Sequence, residues 1–218
     1  MIYYGNVSNQ RKAMNKIEDI KKTYFSKDQK EWESFFHDKK EQIQETIDVY
    51  LELKNILNTG SSDLLKQWFF LAFYGMGGKL KKEKKERFIS HFSMNHEKSI
   101  DEVKRIVNEI NDDKVSSSYY SFVTKLLNMQ DEDFFPIYDS RIASVFFEED
   151  EKDKDDDLNK VHNCYKRIKE LYDLIAAVDE APIKAFKKVF KNADGIGKMR
   201  ILDYILYNSI QVTKCARG

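Results

Sequence analysis

Apolar residues recur at intervals of three and four along almost the whole chain, a period that admits helices and little else. Met14, Ile17, Ile20 and Tyr24 set it first. Ile43, Ile47, Tyr50 and Leu57, with Lys54 on the same line, carry it to a stop at Gly60. Ser62 can cap a further apolar helix through Trp68 and Phe73, ended by Gly75, Gly77 and Gly78. Ser99 with Glu102 reads as a capping box for the stripe of Ile100, Val103, Ile106, Val107 and Ile110. A serine cluster, Ser116 to Ser118, opens a helix reaching about Met129. It carries Tyr119, Phe122, Val123, Leu126 and Leu127 on one face and Ser118, Ser121, Lys125 and Asn128 on the other. Ser140 to Phe147 predicts a short helix, and Val161 to Ile175 a long one. Pro182 suits a first helical turn, and a last helix runs from about Gly197 to Ser209. Only 8 Gly and 2 Pro interrupt 218 residues, so an all-β fold is excluded. The expectation is an all-α fold of some ten helices over residues 1 to 218, in one or two closely packed lobes with a cleft.

Charge is balanced overall, with 37 basic and 37 acidic side chains, but not along the chain. Glu148 to Asp157 reads EEDEKDKDDD, eight acids against two lysines, a local net of −6 that predicts a solvated surface loop and leaves +6 for the rest. Basic residues gather from Lys79 to Arg87, including Lys81 and Lys82, and again in Lys184, Lys187, Lys188, Lys191, Lys198 and Arg200. The longest apolar run, Trp68 to Tyr74, is far short of the ~20 residues that span a membrane. Cys164 and Cys215 stand far apart and predict no disulfide framework, so a reducing cytoplasm or the nucleoid is the expected home. His91 and His96 are five apart rather than four, and His162 with Cys164 has no second pair, so no metal site is expected. Walker, GxSxG and GxGxxG motifs are all missing from the sequence, and no cofactor is implied.

The informative window is SSSYYSFVTKLLNMQDEDFFPIYDSRIASVFF, Ser116 to Phe147. A helix with Lys125 on its polar face is followed, after an acidic and aromatic turn, by Pro136-Ile137-Tyr138-Asp139 and a new helix start. This order resembles the helix-hairpin-helix DNA glycosylase superfamily, in particular its 8-oxoguanine glycosylase branch, which has archaeal members. The resemblance implies a helical glycosylase-like fold acting on double-stranded DNA, with Lys125 as nucleophile and Asp139 as the assisting carboxylate. The segment Ser116 to Tyr120 stands where the family has a G-[VI]-G hairpin. Gly195-Ile196-Gly197-Lys198 fits that hairpin better and reads as a structural helix start or, through successive N–H groups at that start, an auxiliary phosphate contact.

The chemistry suits these residue types. An amine attacks an anomeric carbon only when unprotonated, which desolvation or neighbouring cations favour. A carboxylate beside the sugar steadies the developing positive charge and moves protons. Base excision also needs the base extruded into a pocket, for which Trp68, Tyr119, Phe134, Phe135 and Tyr138 are available. Read without the resemblance, Lys125 is a solvated lysine and Asp139 a helix N-cap. A DNA-binding protein lacking the chemistry and a helical protein-interaction module stay open as alternatives.

Overall fold

The computed structural model describes residues 5–59, 70, 82–110, 117–146, 158–178 and 180–215. These residues form ten α-helices and no strand. In chain order they are α1 (Gly5–Tyr24), α2 (Gln29–His37), α3 (Lys40–Asn58), α4 (Lys82–Ser90), α5 (Ile100–Ile110), α6 (Ser117–Gln130), α7 (Ser140–Ala143), α8 (Leu158–Val178), α9 (Ala181–Val189) and α10 (Lys198–Cys215). Apart from Phe70, the helix expected from Ser62 to Phe73 lies outside the described residues, as does the acidic loop at 148–157.

Local signals explain the helix starts, though not always in the way the sequence suggests. Asp28 accepts from the N–H groups of Lys30 and Glu31 while Glu31 accepts from Asp28 N–H, a complete capping box. At α5 the expected box is only half made. Ser99 Oγ accepts from Asp101 N–H at 3.2 Å, but the Glu102 carboxylate turns inward to His96 and Arg105. Pro182 occupies the first turn of α9, as expected. Asn192 alone among the described non-glycine residues has a left-handed φ, 61°, and reverses the chain between α9 and α10.

The buried apolar side chains of these helices form one connected cluster. Helix α9 lies along α2, α6 along α5, and α8 touches α1, α5, α6, α7 and α10. On α8, Val161, Tyr165, Ile168, Leu171, Tyr172 and Ile175 are all fully buried, as their spacing predicts. Met14 is a correction: it follows the apolar period yet is 63% exposed. Phe186 joins three elements, edge-on to Phe36 at 5.3 Å, tilted over Phe190 at 4.6 Å and stacked on Tyr204 at 5.9 Å. No described helix is long and apolar enough to cross a membrane. Because Phe186 links α2, α9 and α10, Phe186→Ala is expected to cost about 3–5 kcal/mol in urea unfolding.

Candidate functional site

Between α6 and α7 the chain leaves the helix for residues 131–139, and the strap at residues 135–139 is where the structure concentrates its buried hydrogen bonds. Asn128 Nδ2 donates to Phe135 O at 2.6 Å, and Tyr165 OH donates to Pro136 O at 3.0 Å. Ile137 N–H donates to Asp203 Oδ2 at 3.0 Å, and Tyr138 N–H donates to Thr124 Oγ1 at 3.0 Å. Phe135, Pro136, Ile137 and Tyr138 are all buried, so each of these backbone groups would be an orphan without its side-chain partner. Three helices, α6, α8 and α10, therefore hold one non-helical segment.

The strap delivers Asp139 to the N-cap of α7, where its Oδ1 accepts from Arg141 N–H at 2.8 Å. Its Oδ2 has no hydrogen-bond partner among the described residues. Lys125 is half-buried on α6, beside Thr124. The Thr124–Tyr138 bond thus joins the residue before Lys125 to the residue before Asp139. Asn128 is a correction to the expected solvent face of α6: it is fully buried and faces the strap.

Beneath the strap lies Asp203, a fully buried carboxyl that accepts from Ile137 N–H and from Tyr172 OH at 3.0 Å. Desolvation pushes its pKa up to about 8, against the opposing pull of Arg200 and these two donors. Arg200 is itself buried, with its guanidinium 4.7 Å from the Tyr50 ring centre and 4.6 Å from that of Tyr204. It is therefore not part of an exposed basic surface. Beside the strap, Tyr120 meets His162 Nδ1 at 2.7 Å, and His162 Nε2 meets the exposed Asp101 at 2.9 Å. Burial lowers the His162 pKa, and with Nε2–H donating to Asp101 its Nδ1 is left to accept from the phenol.

The Gly195-Ile196-Gly197-Lys198 turn is closed from within. Gly197 N–H donates to Glu132 Oε2 at 2.7 Å, Lys198 N–H to Asp133 Oδ1 at 2.9 Å and Met199 N–H to Glu132 O at 2.9 Å. Lys54 adds a clip, donating to Gly195 O at 2.9 Å and ion-pairing with the buried Glu132 carboxylate. The amides that would hold a phosphate hold the protein's own acids, which favour a helix N-terminus for the same electrostatic reason. Gly197 is required sterically, since a Cβ there would lie 2.3 Å from Glu132 Cβ, whereas one on Gly195 meets only Leu51 at 3.5 Å.

A cavity of about 880 Å³ opens between the end of α3, residues 92–98, the second half of α6 and the 194–198 turn. Leu126, Met129 and Phe135 lie along it, and Lys54, Lys98, Lys187 and Lys198 line it. Gln130 fixes one wall by donating to the carbonyls of His91, Phe92 and Met94 at 3.3, 3.4 and 3.3 Å. Behind that wall Glu102 accepts from Arg105 at 2.7 Å and meets His96 at 2.9 Å, and the Arg105 guanidinium holds its pKa down at about 2. Gly195 and Gly197 line this cavity, and Lys125 and Asp139 do not. Of the other expected contacts, Lys79 and Lys81 lie outside the described residues, and Lys82 is described only as the first residue of α4.

No family model, curated protein or solved structure matches this chain.

Two outcomes test this geometry. Gly197→Ala should destabilise the chain by about 1–3 kcal/mol in urea unfolding, while Gly195→Ala should stay within about 0.5 kcal/mol of the parent. Asp203 keeps its proton up to about pH 8 when folded but releases it near 3.8 when unfolded. Between those values the folded state binds the extra proton, so stability falls as pH rises. Asp203→Asn retains an acceptor for Ile137 N–H and lacks that proton. Its melting temperature should therefore gain on the parent's from acid to mildly alkaline pH.

Proposed function

We propose that the chain is a DNA base-excision enzyme of the helix-hairpin-helix glycosylase type, with Lys125 as the nucleophile and Asp139 as the assisting carboxylate. One observation carries this reading: the Thr124–Tyr138 hydrogen bond ties the strap ending at Asp139 to the turn of α6 that bears Lys125. Two further features support it. Lys125 sits half-buried on a helix whose residues 122–124 and 126–129 are buried. Asp139 spends one oxygen on its capping bond and has the other available.

In this reading duplex DNA presents an extruded nucleotide. Neutral Lys125 attacks C1′, and the glycosidic bond breaks with its electron pair going to the base, which takes up a proton. Asp139 steadies the developing positive charge and accepts the amine proton. Opening of the sugar ring, with a proton delivered to O4′, gives a Schiff base between Lys125 and C1′. That species permits β-elimination of the 3′ phosphate. Lys187, Lys191 and Lys198 have no ion pair among the described residues and are available to phosphates. Lys184 and Lys188 are paired with Glu180 at 2.9 Å and Glu33 at 2.8 Å.

Borohydride trapping on duplexes with oxidised, alkylated and hypermodified bases is the test. The parent should form a covalent adduct on at least one substrate, and Lys125→Ala should form none. Asp139→Asn should slow trapping by roughly a hundredfold or more. Circular dichroism and melting temperature should show both variants folded. Absence of an adduct across the whole panel overturns the enzymatic reading. Salt-sensitive duplex binding that persists without an adduct would leave a DNA-binding protein.

A further inference from the structure

The cavity wall at residues 91–98 holds two histidines whose ring centres are 5.4 Å apart. Their partners give them different protonation states. His96, its side chain 2% exposed, places Nδ1 2.9 Å from the Glu102 carboxylate and Nε2 3.0 Å from the His91 carbonyl. Both partners only accept, and Arg105 keeps Glu102 ionised, so both ring nitrogens of His96 carry hydrogen and the ring is an imidazolium. His91 is also buried, but its surroundings suit the neutral ring. Its Nε2 lies 3.5 Å from Glu109 Oε2, and its Nδ1 is buried with no hydrogen-bond partner among the described residues. A bare ring nitrogen is tolerated there, whereas an N–H would be a buried donor with nothing to accept it.

The charges around His91 give little help to a second proton. Burial holds its pKa below the ordinary histidine value, and the His96 and Arg105 cations act in the same direction. Glu109 and Glu102 on α5 oppose them, but Glu102 is taken by His96 and Arg105, and exposed Glu109 is paired with Arg105. From α4, Arg87 donates to the Glu109 carbonyl at 3.3 Å. From α6 comes the neutral Gln130, and Asp131 just beyond it is paired with Lys98 at 2.5 Å. The segment itself is one 3-10 turn, His91–Ser93, followed by irregular chain. Side chains fasten it, namely Gln130, His96 on Glu102 and Lys98 on Asp131, rather than a helix ladder. A stretch held in this way opens at lower cost than the helical core.

We propose that His91 is a proton-operated latch: when it takes up a second ring proton, residues 91–98 swing away from α5 and α6 and open this side of the cavity. Opening gives the new N–H water to bond and moves two like charges apart. His91 holds its proton more tightly in the open form, so acid favours opening, and the closed wall is fully present above the ordinary histidine value of about 6.5. The latch involves neither Lys125 nor Asp139 and does not depend on the glycosylase reading.

Nitrogen-15 NMR of the histidine rings in the full chain, followed from about pH 7.5 to about pH 5, tests the latch. At the upper end His96 should show two protonated ring nitrogens and His91 one. As His91 gains its second proton, the nuclear Overhauser contact between the two rings should be lost. The His96 ring N–H groups should then exchange with water about tenfold faster or more, at constant far-ultraviolet circular dichroism. His91→Gln should abolish these changes, and His91→Phe serves the same purpose with a ring in place. Either variant separates His91 from His162 and Asp203, whose protonation also changes with pH. Four results overturn the proposal: a single ring proton on His96 at the upper end, a His91 that stays neutral to about pH 5, a second His91 proton that leaves the ring contact intact, or the same changes in the His91 variants. Loss of the circular dichroism signal together with the ring contact also overturns it, since the whole chain would then be unfolding.

Discussion

Residues 135–138 have no helix to satisfy their backbone, and the fold is arranged around supplying the missing partners. A buried backbone group left unpaired costs about 1–3 kcal/mol, and four such groups would take a large share of the stability of a chain this size. Asn128 and Thr124 come from α6, Tyr165 from α8 and Asp203 from α10. Each helix can meet its donor or acceptor only at one rotation and one height. The strap thus acts as a register mark for α6, α8 and α10, on top of an apolar core that by itself would tolerate sliding. Tyr172 extends the same logic by holding Asp203 in place from α8.

The acids of residues 131–133 serve a related end. They lead into the strap, and Glu132 and Asp133 are bound by the start of α10, where the helix dipole and the N–H groups of Gly197 and Lys198 favour negative charge and Met199 N–H takes the Glu132 carbonyl. Lys54 of α3 completes the attachment by bridging Gly195 and Glu132. The strap is consequently held at its side by the helix core and at its entry by the glycine turn, and only its exit at Asp139 faces partly outward. A carboxylate presented in that way is fixed in position without being enclosed.

Helix existence was legible in the sequence because burial in this chain follows the 3.6-residue period, as on α8, where every apolar position of the stripe is buried. What failed to read through was polar burial. Asn128 and Thr124 lie four apart, one helical turn, and their types alone suggest a solvent face; both are fully buried because the strap on that side needs a donor and an acceptor. Asp203 left a weak trace, as a lone acid inside KMRILDYILY, but nothing local reveals that its partners are residues 137 and 172. Gly195 and Gly197 look equivalent in a G-x-G pattern. Only the approach of Glu132 distinguishes them, and that approach is a tertiary fact. The partners of the glycine turn were illegible for the same reason: the acids that accept from its N–H groups are 65 residues away in the chain.

Capping and chemistry at Asp139 are compatible on physical grounds. An N-cap carboxylate needs one oxygen for the helix, and that bond fixes the plane of the group. The second oxygen then has a defined direction at no further entropic cost, which is what a residue that must meet a transient cation requires. The cap would also oppose any rotation of the carboxylate toward solvent. A free surface aspartate has neither restraint, so the short helix α7, too brief to contribute much packing of its own, gains a role as the fixture that orients Asp139.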